Sequence, residues 1–143
     1  MKITDLKPTI VWKFFHQVTQ VPRPSKKEGK MIEFLESFAK EYKIAIKKDE
    51  AGNLLMSKPA TPGMEDRPVV VLQSHMDMVC EKNNGTKHDF DNDPIETIVD
   101  GEWLRANGTT LGADNGIGVA AELALLASDD IQHGPIECLF TVD

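Results

Sequence analysis

His75 and Asp77 stand two residues apart at the end of an apolar run, Val69-Val70-Val71-Leu72-Gln73-Ser74-His75-Met76-Asp77. At the strand period of two, both side chains leave the same side of the chain. An open α/β sheet places its chemistry just past the carboxyl end of a strand, and this pair falls there. A second carboxylate, Asp114, follows in Gly112-Ala113-Asp114-Asn115-Gly116, a glycine-flanked turn that opens a helix. A neutral imidazole is a good zinc ligand, and its other ring nitrogen ordinarily donates to a carboxylate or carbonyl that fixes the tautomer. His75 is therefore a candidate metal ligand, with Asp77 either steering its ring or flanking the reacting water. A carboxylate such as Asp114 can bridge two zinc ions held about 3.5–4 Å apart. Gly112 and Gly116 permit the close approach and unusual backbone angles that such a bridge needs. The chemistry these residue types share is that of a zinc hydrolase.

Two blander readings stand beside that one. A His-x-Asp pair can be a loop histidine with an incidental neighbour, and Asp114 or Asn115 can simply cap the helix that follows. The residues alone leave both open. Other motifs fail on spacing. The segment Gly112–Gly118 lacks the dinucleotide fingerprint, and no phosphate-binding loop occurs. Ser74 and His75 point to opposite faces of a strand, which excludes a nucleophilic triad. Residues 88–93 resemble the start of a calcium loop, but Pro94 stands where glycine is needed and Asp100 where glutamate is preferred, leaving a solvated acidic loop. Cys80 has no second cysteine or histidine at ligand spacing. His16 and His133 read as surface or helix-end residues.

The chain has 143 residues, one domain by length, with 41% hydrophobic and 27% charged residues, ordinary for a globular protein. Its net charge of −7 and lack of a basic cluster with exposed aromatics argue against nucleic acid. No apolar run reaches the length of a membrane span, and residues 1–5 carry no signal-peptide core. Cys80 and Cys138 form no disulfide framework, so a cytoplasmic protein with reduced thiols is expected.

The elements that must position the candidate residues follow from period and punctuation. Pro8 opens a helix with Ile10, Val11, Phe14, Phe15 and Val18 on one face, broken at Val21-Pro22-Arg23-Pro24. Ser25-Lys26-Lys27-Glu28 reads as a capping box for a second helix reaching Tyr42, with Met31, Phe34, Leu35 and Phe38 inward. Residues 44–46 and 53–57 form a hairpin. Val69–Leu72 shows no alternation and reads as a central strand covered on both faces. Residues 95–99 and 102–105 flank Asp100-Gly101 as a second hairpin. Residues 116–128 form a helix apolar almost all round except for Glu122, a pattern of burial. Residues 136–142 form the last strand, expected at an exposed apolar edge. The order predicts an α/β layer fold with a mixed sheet.

Three phrases, residues 74–83, 88–95 and 109–120, closely resemble the aminoacyl-histidine (cytosol non-specific) dipeptidases, within the aminoacylase/carboxypeptidase-G-like zinc peptidases. The opening helices and residues 103–116 match as well, so the likeness covers essentially the whole chain. The resemblance implies a three-layer, mixed-sheet zinc-peptidase catalytic domain, with residues 1–143 as its N-terminal part and the lid or dimerisation domain absent. It implies that His75 ligates one zinc, Asp77 orients His75 and tunes the site, and Asp114 bridges both zincs through a turn whose Asp114–Asn115 peptide is cis. It further implies two zinc ions (cobalt or manganese substituting), dipeptide substrates including Xaa-His types, and a homodimer for the full-length protein. The general base and the remaining ligands would lie beyond Asp143, so the chain alone is expected to be inactive. Two alternatives remain: another deacylase of the same clan, such as an aminoacylase or desuccinylase, and a non-catalytic α/β binding domain whose acidic loops pick up metal. The metal reading requires His75 and Asp114 to meet at one rim.

Overall fold

Two amphipathic helices open the chain, and each stops where its period breaks. The computed structural model describes residues 1–143. Helix α1 (Thr9–Thr19) starts after Pro8 and buries Phe14, Phe15 and Val18. Helix α2 (Gly29–Glu41) buries Met31, Leu35, Phe38 and Ala39. Phe34 is only half-buried. The expected capping box is absent. Helix α2 begins at Gly29, after Glu28, without a side-chain cap, and the Ser25 hydroxyl donates instead to Asp77 Oδ2 at 2.5 Å. The local capping geometry loses to a carboxylate far away in sequence.

Strands β1 (Ala45–Lys48) and β2 (Leu54–Lys58) form the first hairpin. Strand β3 is Val70–His75. Strands β4 (Thr97–Asp100) and β5 (Trp103–Ala106) form a separate hairpin; Asp100 pairs with Trp103, so the two-residue loop is Gly101-Glu102 rather than Asp100-Gly101. Helix α3 (Ala113–Ala127) starts three residues earlier than its apolar pattern and departs from helical angles at Asp114 and Asn115. Strand β6 is Ile136–Thr141.

The main sheet has the order β1-β2-β6-β3, with β6 antiparallel to β2 and parallel to β3. Two expectations therefore exchange places. β6 is an interior strand, whereas β3 is an edge strand, with Val70 and Val71 more than half exposed. An unbroken apolar run reports that a strand is suited to being covered, not which strand stands beside it. β6 instead alternates buried and half-buried residues, as a strand with one core face should.

All three helices pack on one face of the sheet. Leu54, Met56, Ile136, Cys138 and Phe140 meet Phe14, Phe15, Val18, Met31, Leu35, Val119 and Leu123 in a single core. The opposite face carries Leu55, Val71, Gln73 and Leu139, and none of these is buried. The fold is mixed α/β, and of the three layers expected for the whole domain this chain supplies the sheet and one helical layer. Lys58 ties β2 to the far end of α3 by donating to Leu125 O at 3.0 Å and to Ser128 O. No helix is long and apolar enough to cross a membrane.

Glu122 is the one acid on the buried face of α3, 4% exposed, and its Oε2 has no hydrogen-bond partner. Burial pushes its carboxyl up to about 7, with the nearby Ser74 hydroxyl acting in the opposite direction. Burial and the adjacent Glu122 charge push the Cys138 thiol up to about 12. A raised carboxyl pKa means that the folded state holds the proton more tightly than the unfolded one. The resulting stability is full below about 4.5 and is lost as pH rises through about 7. Denaturant unfolding of Glu122→Gln should therefore match wild type at pH 4 and exceed it by about 3 kcal/mol at pH 8. An unchanged difference across that range would contradict this account.

Candidate metal site

His75 is the last residue of β3, and Asp114 is the second residue of α3. The crossover from β3 to its parallel neighbour β6 runs through α3. The helix starts beside the carboxyl end of β3, and the two residues meet there. His75 Nε2 lies 3.0 Å from Asp114 Oδ1, and His75 Nδ1 lies 3.0 Å from Asp77 Oδ1. Both residues therefore stand at one rim of the sheet.

Both ring nitrogens face carboxylate oxygens. Burial opposes the charged ring, yet the Asp114 and Asp77 carboxylates outweigh it and hold the His75 pKa above its ordinary value. Asp77 is nearly buried, and its second oxygen accepts the Ser25 hydroxyl. The Asp114 side chain is 97% exposed and open to solvent. It does not cap α3, whose N-cap is Gly112, in the left-handed conformation at φ 75°. Asp114 and Asn115 both leave helical angles, and the Asp114 carboxylate pairs with His75. The Asp114–Asn115 peptide is cis.

The donor set can be tested against a metal. Two ligand atoms, each about 2.0–2.2 Å from one zinc at a tetrahedral angle, lie roughly 3.4 Å apart. The observed 3.0 Å is within a few tenths of an ångström of that. Asp77 holds Nδ1, so Nε2 would be the nitrogen offered to a metal. His75 and Asp114 thus fit as two ligands of a site. No group of three or more His, Cys, Asp or Glu in the chain is arranged to hold a metal.

Residues missed by sequence reasoning lie behind this pair. Arg23, read only as part of a helix break, is 1% exposed and donates to Met76 O, Asp77 O and Gly112 O. Burial lowers its pKa to about 10 while Asp77 and Cys80 oppose that shift, so it stays charged at neutral pH. Gly112 and Gly116 make room for this guanidinium. A Cβ at Gly112 would lie 2.5 Å from Arg23 Nη2, and one at Gly116 would lie 2.7 Å from it. In the sequence Arg23 stands between two prolines, and nothing beside it marks it as buried. The acidic loop of residues 89–93 spends its carboxylates locally: Asp89 accepts from the Asn92 side chain at 2.7 Å, Asp93 from the Asp89 amide at 2.9 Å, and Asp91 pairs with Lys27. Cys80 Sγ sits 3.6 Å from Met78 O, apart from any ligand cluster.

No protein-family profile matches the chain. The chain is 49% identical, over 141 residues, to the cytosol non-specific dipeptidase of Escherichia coli; the match takes in 99% of this chain and 29% of that protein. The crystal structure of aminoacylhistidine dipeptidase from Vibrio alginolyticus superposes with a TM-score of 0.98 at 50% identity, covering 100% of this chain and 29% of that one. A tripeptidase from Staphylococcus aureus superposes with a TM-score of 0.73 at 25% identity, over 93% of this chain and 36% of its own. The chain therefore spans less than a third of the length of the dipeptidases that it matches. Along its whole length, in sequence and in fold, it resembles the aminoacyl-histidine dipeptidases.

Proposed function

We propose that this chain supplies part of the metal site of a longer cytoplasmic dipeptidase. The observation that carries the reading is the 3.0 Å approach of His75 Nε2 to Asp114 Oδ1, with Nδ1 tied to Asp77, in a chain half identical to dipeptidases. His75 and Asp114 are the metal ligands, and Asp114 has a second oxygen free for a second ion. Asp77 keeps the His75 ring in one tautomer and orientation. Asn115, Gly112 and Gly116 shape the turn that presents Asp114. Two zinc ions, with cobalt or manganese able to substitute, would supply Lewis-acid polarisation of the scissile carbonyl and acidify water. The substrates are dipeptides, Xaa-His types among them, and the longer protein works as a homodimer.

Two ligands cannot complete a zinc site, which needs about three from protein even where one position is open to water. The carboxylate beside His75, Asp77, is held by the ring and by the Ser25 hydroxyl and is not free to shuttle a proton. Residues 1–143 by themselves should therefore bind zinc weakly and turn over no dipeptide. A turnover assay with Xaa-His and other dipeptides, in the presence of added zinc, cobalt or manganese, checks this. Rates near those of the longer protein would refute it. Deacylation of N-acyl amino acids without dipeptide hydrolysis by the longer protein would favour an aminoacylase instead.

In that longer protein, His75→Ala and Asp114→Ala should each abolish activity and lower the metal content. Asp77→Asn keeps the shape but removes the charge that steers the imidazole. It should cost about 10–100-fold in metal affinity or kcat. Wild-type metal content in all three variants would point to a non-catalytic domain.

A further inference from the structure

Arg23 is a buried cation whose bonds all go to backbone carbonyls. Nη1 donates to Met76 O at 3.1 Å and to Asp77 O at 3.2 Å, and Nη2 donates to Gly112 O at 2.6 Å. Two of these carbonyls belong to the loop that follows His75, and the third lies two residues before Asp114. The segment around Arg23 is itself tied to the first loop, since Met78 N donates to Arg23 O at 2.9 Å and Ser25 N donates to Met78 O at 3.3 Å. The contact exists only because positions 112 and 116 lack a Cβ.

Packing alone does not account for an arginine here. An apolar side chain of similar length would fill the space without desolvating a charge, and Arg23 Nε is left without a partner. What the guanidinium adds is a rigid planar fork, able to reach carbonyls of two separate loops at once. A lysine ammonium is a single point and cannot match that span. We propose that Arg23 is a positioning residue of the metal site: by bridging the carbonyls of Met76, Asp77 and Gly112, it sets the separation of the His75 loop and the Asp114 turn before metal arrives. This rests on the metal-site reading above.

The test uses the full-length protein that carries this chain, with Arg23→Lys and Arg23→Gln beside wild type and His75→Ala. The readouts are competitive titration with zinc, the visible spectrum of the cobalt form, and the melting temperature of the metal-free form. Folded Arg23→Lys should bind zinc about tenfold or more weakly, with altered cobalt bands, and kcat should fall more than KM rises. Arg23→Gln should behave likewise. A variant that melts earlier but keeps wild-type zinc affinity and cobalt bands would reduce Arg23 to a core residue and overturn the proposal. Failure of both variants to fold would overturn it in the same way. If wild type binds no zinc, or if His75→Ala binds it as well as wild type, the metal-site reading falls and takes this role with it. Metal lost in His75→Ala but indifferent to Arg23 sinks the positioning role alone.

Discussion

The parallel pairing of β3 with β6 is the constraint from which the site follows. Parallel neighbours cannot be joined by a tight turn; they need a crossover, here built around α3. That crossover begins at the end of the sheet where β3 finishes, so the last residue of the strand and the first turn of the helix share a rim. His75 and Asp114 occupy those two positions. Nothing about either residue alone would bring them to 3.0 Å; the connection does.

The same helix carries two acids in opposite settings. Asp114 projects into solvent at one end, whereas Glu122 lies two turns on against the core side of the sheet. Burial favours the neutral form of Glu122 up to about pH 7. Below that pH, Glu122 adds little charge beneath a rim that already holds two carboxylates around one imidazole. On the other flank, Arg23 supplies a positive charge behind Asp77, and the Ser25 hydroxyl occupies the Asp77 oxygen that His75 leaves free. The polar groups are thus ordered from the outside in: an open carboxylate, a half-exposed ring, a nearly buried carboxylate, and a buried guanidinium.

Much of this was legible in the residues, and the remainder was hidden for identifiable reasons. Helix α1, the two hairpins and the apolar α3 follow from period and punctuation, because each is decided by neighbours in sequence. His75 and Asp114 stood out because strand ends and glycine-flanked turns are local signals. Ser25 and Arg23 did not, because beside Pro22 and Pro24 they look like helix punctuation, and their partners are set by tertiary contact. The order of β3 and β6 was hidden for a related reason. Apolar content measures readiness for burial, whereas strand order is decided by the crossover.

The open side of β3 bears directly on the ligand at its tip. The strand has one hydrogen-bonded neighbour, and Val70 and Val71 lie largely in water along the other margin. A strand held from one side frays from its free margin inward, and such a margin recruits any extended segment that can match it. The imidazole is the final residue of that strand. An extended segment paired along those valines would add backbone hydrogen bonds to the very strand that carries the ring.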